Sequence, residues 1–235
     1  MIERFWRSAH SVRQTLLDLL FPPRCVVCRS ADVDWFCSAC RSKIDRISPP
    51  LCVHCGRPLD RQECPYCQTT PLQIDGIRAI AFFEGNLRKA IHAFKYNHRP
   101  ELARVLGSLA SEYISAHPLP ADVITAVPLH TIREHSRGYN QSLLLARVLG
   151  AKTNLPVWEN VLTRVRATQS QIRLNAVERI ANVQDAFASD TRVAGRQILL
   201  IDDVCTTGAT MDACCVALKQ RGAKSVWGLA LARGR

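Results

Sequence analysis

From Ile74 onward the chain alternates short apolar runs with longer stretches whose apolar positions recur every three or four residues. Ile77 to Phe83 and Asp122 to Val127 read as strands, and Leu87 to Tyr96 and Glu101 to Ala116 as amphipathic helices. Gln141 to Gly150 predicts a further helix, Val157 to Leu162 a weak strand and Leu174 to Val183 a weak helix. Gln197 to Ile201 is a continuous apolar strand, Thr210 to Arg221 a helix stopped by Gly222, and Ser225 to Leu231 a last strand. Strands that are apolar on both sides and alternate with helices predict an α/β fold, a mostly parallel sheet flanked by helices on both faces. Ligands of such sheets sit beyond the carboxyl ends of the strands, which directs attention to Val127-Pro128 and Ile201-Asp202.

The first 72 residues follow another pattern. Val12, Leu16, Leu19 and Leu20 share one helical face, so residues 1–21 read as a packing helix. Charges interrupt this stretch, it lacks a small-residue cleavage site, and no apolar run in the chain approaches the roughly 20 residues of a membrane helix. A cytoplasmic protein without a membrane span is expected.

Between residues 22 and 72 the helical and strand periods give way to cysteines, which hold eight of the chain's 11. They read Cys25-x2-Cys28, x8, Cys37-x2-Cys40, then Cys52-x2-Cys55, x8, Cys64-x2-Cys67, so every cysteine of the first set recurs 27 positions later. The flanks repeat too: Pro22-Pro23-Arg24-Cys25 aligns with Pro49-Pro50-Leu51-Cys52. Two thiolates separated by two residues can grip one ion from a single tight turn, and two such turns complete a tetrahedral zinc site. Disulfides and iron–sulfur clusters also use cysteines, but in a reducing compartment this tandem spacing favours two structural zinc ions, paired sequentially. Units this small bury little core, so metal binding supplies much of their folding free energy, on the order of 10 kcal/mol per site. Pro71 in the polar stretch from Gln68 to Asp75 places the domain boundary near Leu72.

The net charge of +11 is uneven: residues 1–72 carry 10 Lys+Arg against 7 Asp+Glu, and residues 73–235 carry 21 against 13. A basic larger domain attracts polyanions without choosing among them.

The candidate chemistry follows the buried strand Ile198-Leu199-Leu200-Ile201. Asp202 and Asp203 would be costly if buried unpaired, so they should meet solvent, a cation or hydroxyl donors. Thr206-Thr207-Gly208-Ala209-Thr210 then offers consecutive backbone N–H groups, three hydroxyls and a glycine permitting close approach, all at a helix N-terminus: an anion cradle. Acids beside a phosphate cradle suit a sugar phosphate. This strand, acid pair and Thr-Thr-Gly-x-Thr loop closely resemble the phosphoribosyl pyrophosphate motif of type I phosphoribosyltransferases. That resemblance makes Asp202 and Asp203 the catalytic candidates and residues 206–210 the phosphate loop. It likens Leu129, His130, Arg133 and Arg137 to the family's pyrophosphate loop. Arg164 and Arg166, leading to Gln171, look like its mobile catalytic loop.

With the duplicated cysteine units and the Arg137-Gly138-Tyr139-Asn140-Gln141 segment, the set resembles the ComF family, which joins a double zinc ribbon to a phosphoribosyltransferase-like domain. The resemblance implies binding of phosphoribosyl pyrophosphate with Mg²⁺, a role in bacterial DNA uptake or the use of external DNA or gluconate, contact with single-stranded DNA, and uptake-machinery proteins as partners. It also implies, as the alternative, an active transferase that moves ribose 5-phosphate to a nitrogen acceptor. Cys205 departs from the family pattern, where an apolar residue is usual. Tyr96, Tyr139 and Trp227 read as packing residues first and as stacking platforms for a nucleic acid second.

Overall fold

The computed structural model describes residues 23–60, 63–166, 182–183 and 185–235. The helix expected within residues 1–21 and nearly all of the one expected from Leu174 to Val183 lie outside the described residues.

Four parallel strands form the central sheet: β1 (Gly76–Phe82), β2 (Val123–Ala126), β5 (Gln197–Cys205) and β6 (Ser225–Arg233), in the order β1-β6-β5-β2. On β5, Leu199 and Ile201 point toward helices α3 (Gly85–Tyr96), α4 (Leu102–Ala116) and α6 (Gln141–Thr153). Ile198 and Leu200 point the other way, toward α7 (Ala209–Gln220). The strand therefore buries both faces, and no polar residue interrupts it between Gln197 and Asp202.

The structure departs from the sequence pattern at three places. Strand β5 runs four residues past its expected end, because its ladder with β6 continues through Asp202 opposite Ala230, Val204 opposite Ala232 and Cys205 opposite Arg233. Backbone pairing does not require apolar side chains, so the acids lie inside the strand. The weak strand expected from Val157 to Leu162 forms one residue of bridge, Val157 to Ile124; the strand proper is β3 (Leu162–Arg164), antiparallel to β4 (Phe187–Ser189). Three-residue strands are too short to show a period of two. A short helix, α5 (Thr131–Arg137), buries none of its residues and so leaves no apolar stripe to detect.

The cysteine-rich units are built onto this sheet. Between them, Asp45 to Ile47 runs antiparallel to the outer strand: Ile47 donates to Ile80 O at 3.0 Å and Phe82 donates to Asp45 O at 2.9 Å. This covers the one exposed edge of β1. Phe36, Cys25 and Cys37 of the first unit are buried in the same apolar cluster as Ala90 and Phe94 of α3. Each unit carries one short helical turn after a cysteine, α1 (Ser38–Arg41) and α2 (Pro65–Thr69).

Within each unit all four sulfurs lie within 4.8 Å of one another, grouping Cys25, Cys28, Cys37 and Cys40, and separately Cys52, Cys55, Cys64 and Cys67. Cys28 and Cys37 sulfurs are 3.6 Å apart, Cys52 and Cys67 3.7 Å, and Cys55 and Cys64 3.6 Å. Disulfide sulfurs would be bonded at about 2.05 Å. Sulfurs at the corners of a zinc tetrahedron with bonds near 2.3 Å stand about 3.8 Å apart. The donor sets thus fit two structural zinc ions, paired sequentially as the repeat suggested. Backbone N–H groups of Val27 and Cys37 point at Cys25 sulfur, each at 3.5 Å, an arrangement that favours the thiolate. Elemental analysis of reduced protein is expected to give two zinc ions per chain. Replacing the buried Cys205, Cys214 and Cys215 together by alanine should leave that number unchanged; a lower zinc content in this variant would move a ligand out of the two units.

Candidate active site

The acid pair sits at the carboxyl end of β5, Asp203 buried and Asp202 half-buried. Asp203 is only 2% exposed, and its Oδ1 receives Lys95 Nζ of α3 at 2.8 Å. Its Oδ2 is buried, with no hydrogen-bond partner among the described residues. Asp202 Oδ1 accepts from Ser142 Oγ of α6 at 2.9 Å and from the Asp203 N–H at 2.8 Å. A cation and a hydroxyl donor thus meet the acids, the two partner types their burial demanded.

Each partner is itself fixed. Tyr139 Oη donates to Phe94 O, next to Lys95, and the two rings stack with centroids 5.7 Å apart. Asn140 caps α6 by accepting from Ser142 N and Leu143 N, while its amide donates to Val127 O at the end of β2. Gly138 closes α5 in the left-handed conformation with φ of 82°. The segment Gly138-Tyr139-Asn140 therefore carries a helix stop, a latch to α3 and a helix cap, and Tyr139 serves packing here.

Beside the acids lies a polar cleft of about 200 Å³, lined by Lys95, Tyr96, Leu129, Arg133, Arg137, Gln141, Ser142, Arg164, Asp202, Asp203 and Thr210 among others. Residues from α3, α5, α6, β3 and β5 converge there. Of the six residues likened to pyrophosphate and catalytic loops, Leu129, Arg133, Arg137 and Arg164 line this cleft. His130 instead caps α5, its Nδ1 accepting from Ile132 N at 3.3 Å. Arg166 is exposed and donates to Asn182 O at 3.2 Å. Ala167 to Gln171 lie outside the described residues. Trp227 packs over Gly76, and Arg78 stacks on it at 5.2 Å, whereas Tyr96 is 53% exposed at the cleft with Arg137 5.5 Å from its ring. A larger, mostly apolar cavity of about 320 Å³ lies on the far side of α7, between Leu72 and Phe187, away from the acids.

The loop Thr206-Thr207-Gly208 turns directly into α7. Thr207 Oγ1 accepts from Ala209 N at 3.3 Å, and Gly208 adopts φ of 91°. A Cβ at Gly208 would be strained by that φ and would point backward, 2.9 Å from Ile77 Cδ1. The glycine's role is accordingly set by backbone conformation and by the packing behind the loop.

Reading the sequence missed Lys95 and Ser142, which line the cleft, and Arg57 and Tyr66, which donate to Thr206 O and Thr207 O behind the loop. Lys95 ends an amphipathic helix and looks like any solvated lysine. Arg233 belongs to the last strand, yet is 1% exposed and donates to Cys55 O in the second zinc unit.

Burial pushes the Asp202 carboxyl up to about 7, reinforced by the neighbouring Asp203 charge and opposed by Lys95. In the unfolded chain the group titrates near 3.8. Folding therefore takes up a proton between these values, and this group's contribution to stability falls as pH rises from about 4 to about 7, with no further change above. Asp202→Asn should remove that slope and gain stability relative to wild type at pH 8 compared with pH 5. Denaturant titrations across this range in which the two proteins stay parallel would contradict the assignment.

Comparison with known proteins matches residues 16–70 to the double zinc ribbon domain and residues 96–234 to the phosphoribosyl transferase domain. Competence protein F of Haemophilus influenzae is 33% identical over 224 residues, covering 89% of this chain and 97% of that protein. DNA utilization protein YhgH of Escherichia coli K12 is 34% identical over 219 residues, covering 88% and 96%. Competence protein ComFC of Bacillus subtilis is 28% identical over 220 residues, covering 84% and 89%. Two clustered four-cysteine sets, a parallel sheet whose central strand ends in paired acids and a threonine-glycine loop, and relatives aligned over nearly their whole length place this chain in the ComF family of double zinc ribbon, phosphoribosyltransferase-fold competence and DNA-utilisation proteins.

Proposed function

We propose that this chain binds phosphoribosyl pyrophosphate with Mg²⁺ at the end of β5 and serves DNA uptake or utilisation by holding single-stranded DNA on its basic domain. The observation that carries the reading is the meeting of three chemistries at one strand end: paired acids, a phosphate loop at a helix start, and a cleft lined by Lys95, Arg133, Arg137 and Arg164. The loop N–H groups would take the 5′-phosphate, Asp202 and Asp203 would accept from the ribose hydroxyls, and the guanidinium groups would face the diphosphate. Among the described residues nothing donates to Asp203 Oδ2, which gives the acid pair capacity for another donor or a cation. Mg²⁺ carried with the diphosphate would neutralise its charge beside the acids and arginines.

Transfer of the ribosyl group to a nitrogen acceptor would use the same site and is the second reading. The names of the relatives, competence and DNA utilisation, support the binding reading. Among the described residues no helix is long and apolar enough to cross a membrane.

Calorimetry should show Mg²⁺–phosphoribosyl pyrophosphate binding to wild type and a loss of about 100-fold in affinity for Asp202→Ala/Asp203→Ala, from the removal of two charge-assisted hydrogen bonds. Equal affinity for the two proteins would remove the acids from the site. Diphosphate release over candidate acceptors, followed in parallel, would convert the reading to the transferase.

For DNA, anisotropy titrations at several salt concentrations should give an affinity that falls steeply with salt. Arg133→Ala/Arg137→Ala should flatten the logarithmic slope by about 1.4, at about 0.7 for each single-strand phosphate that the variant no longer neutralises. The acid-pair variant should stay within about threefold of wild type. An unchanged slope in the arginine variant would move DNA binding off this face, toward the zinc ribbons.

A further inference from the structure

The back of the phosphate loop is closed by the second zinc unit. Tyr66, between Cys64 and Cys67 on α2, donates its hydroxyl to Thr207 O at 2.7 Å. Arg57, two residues after Cys55, donates to Thr206 O at 3.2 Å, and its guanidinium lies over the Tyr66 ring at 4.0 Å. Both residues are half-buried. The unit is anchored to the sheet at two further points: Ile77 N donates to His54 O at 2.6 Å, and buried Arg233 reaches Cys55 O.

These contacts matter because of peptide geometry. In a planar trans peptide the C=O and the following N–H point in opposite directions. Thr206 C=O shares its peptide with Thr207 N–H, and Thr207 C=O shares its peptide with Gly208 N–H. Holding both carbonyls toward the zinc unit turns both N–H groups away from it. Gly208, with φ of 91°, has the freest backbone of the loop and otherwise could rotate this plane. Preorganised N–H donors bind an anion without a reorganisation cost at the moment of binding.

We propose that Arg57 and Tyr66 are positioning residues of the phosphate loop, so that its affinity for the 5′-phosphate of a ribose ligand depends on an intact, metal-filled second cysteine unit. The inference rests on the site assignment under Proposed function and adds the control of that site. Tyr66 is held between two metal ligands. Metal loss releases its turn and with it the Thr207 carbonyl, while Lys95, Arg133 and Arg137 of the cleft come from other elements.

The test titrates the full chain by calorimetry with ribose 5-phosphate and, separately, with inorganic diphosphate, zinc content and melting temperature being measured for every protein. Wild type is expected to bind both. Tyr66→Phe keeps the ring under Arg57 and removes only the donor; it should weaken ribose 5-phosphate roughly tenfold, the effect of one hydrogen bond at a preorganised site, with diphosphate affinity and zinc content unchanged. Cys67→Ser, with one zinc ion per chain, should show the same selective loss. Unchanged ribose 5-phosphate affinity in Tyr66→Phe, or an equal fall for both ligands, overturns the inference while leaving the site assignment standing. A wild-type chain that binds neither ligand overturns both.

Discussion

A carboxylate pair set inside a parallel strand, one acid buried and the other half-buried, is the constraint on which the rest of this architecture depends. Parallel pairing carries β5 past Ile201 regardless of side-chain chemistry, so Asp202 and Asp203 enter the sheet's carboxyl end with one of them almost fully buried. Burying charge there is tolerable only with a cation and donors at hand. Lys95 and Ser142 supply them from two different helices, so the last turn of α3 and the first turn of α6 must meet at the same point. The Tyr139 hydroxyl on Phe94 O and the Asn140 cap with its amide on Val127 O hold that convergence. Much of what looks like a ligand-binding motif between residues 137 and 142 is thus support for the acids.

The cysteine units answer a second constraint, the finishing of the sheet's outer edge and of the loop's reverse side. The segment joining the units adds hydrogen bonds to β1, the first unit covers α3, and the second backs residues 206–208. A metal site is suited to this because it fixes a short, nearly coreless segment in one conformation. Four thiolates around zinc also leave a net negative charge, which offsets the arginines, Arg57 and Arg233, that gather between the second unit and the strand ends. The second zinc unit therefore shares a polar interface with the phosphoribosyltransferase-fold domain, while the first unit packs apolar side chains against it.

The strands and long helices were legible because each buries a face with its own period. The double run Ile198 to Ile201 announced a two-sided central strand, and the stripes of α3 and α4 announced their packing. Elements without such a face were not legible: α5, which buries nothing, and β3 with β4, three residues each. In the site, Asp202 to Thr210 stood out since acids and threonines following an apolar strand have little other reason to cluster. Lys95 did not, since a lysine closing an amphipathic helix has the same local sequence whether it faces water or a buried aspartate.

By itself the sequence determined what is local or repetitive: the four-cysteine sets, because Cys-x2-Cys turns and their 27-residue repeat are properties of spacing; the order of strands and helices along the chain, because periodicity records burial; and the acid pair with its threonine-glycine loop, because it is one contiguous stretch. Tertiary structure alone decided which distant groups complete these pieces. Lys95 meets Asp203 across 108 positions, Tyr66 meets Thr207 across 141 and Arg233 meets Cys55 across 178. No spacing rule connects such pairs. They are brought together by the order of strands in the sheet and by the docking of the zinc units, and their energies depend on a burial that exists only once the chain has folded.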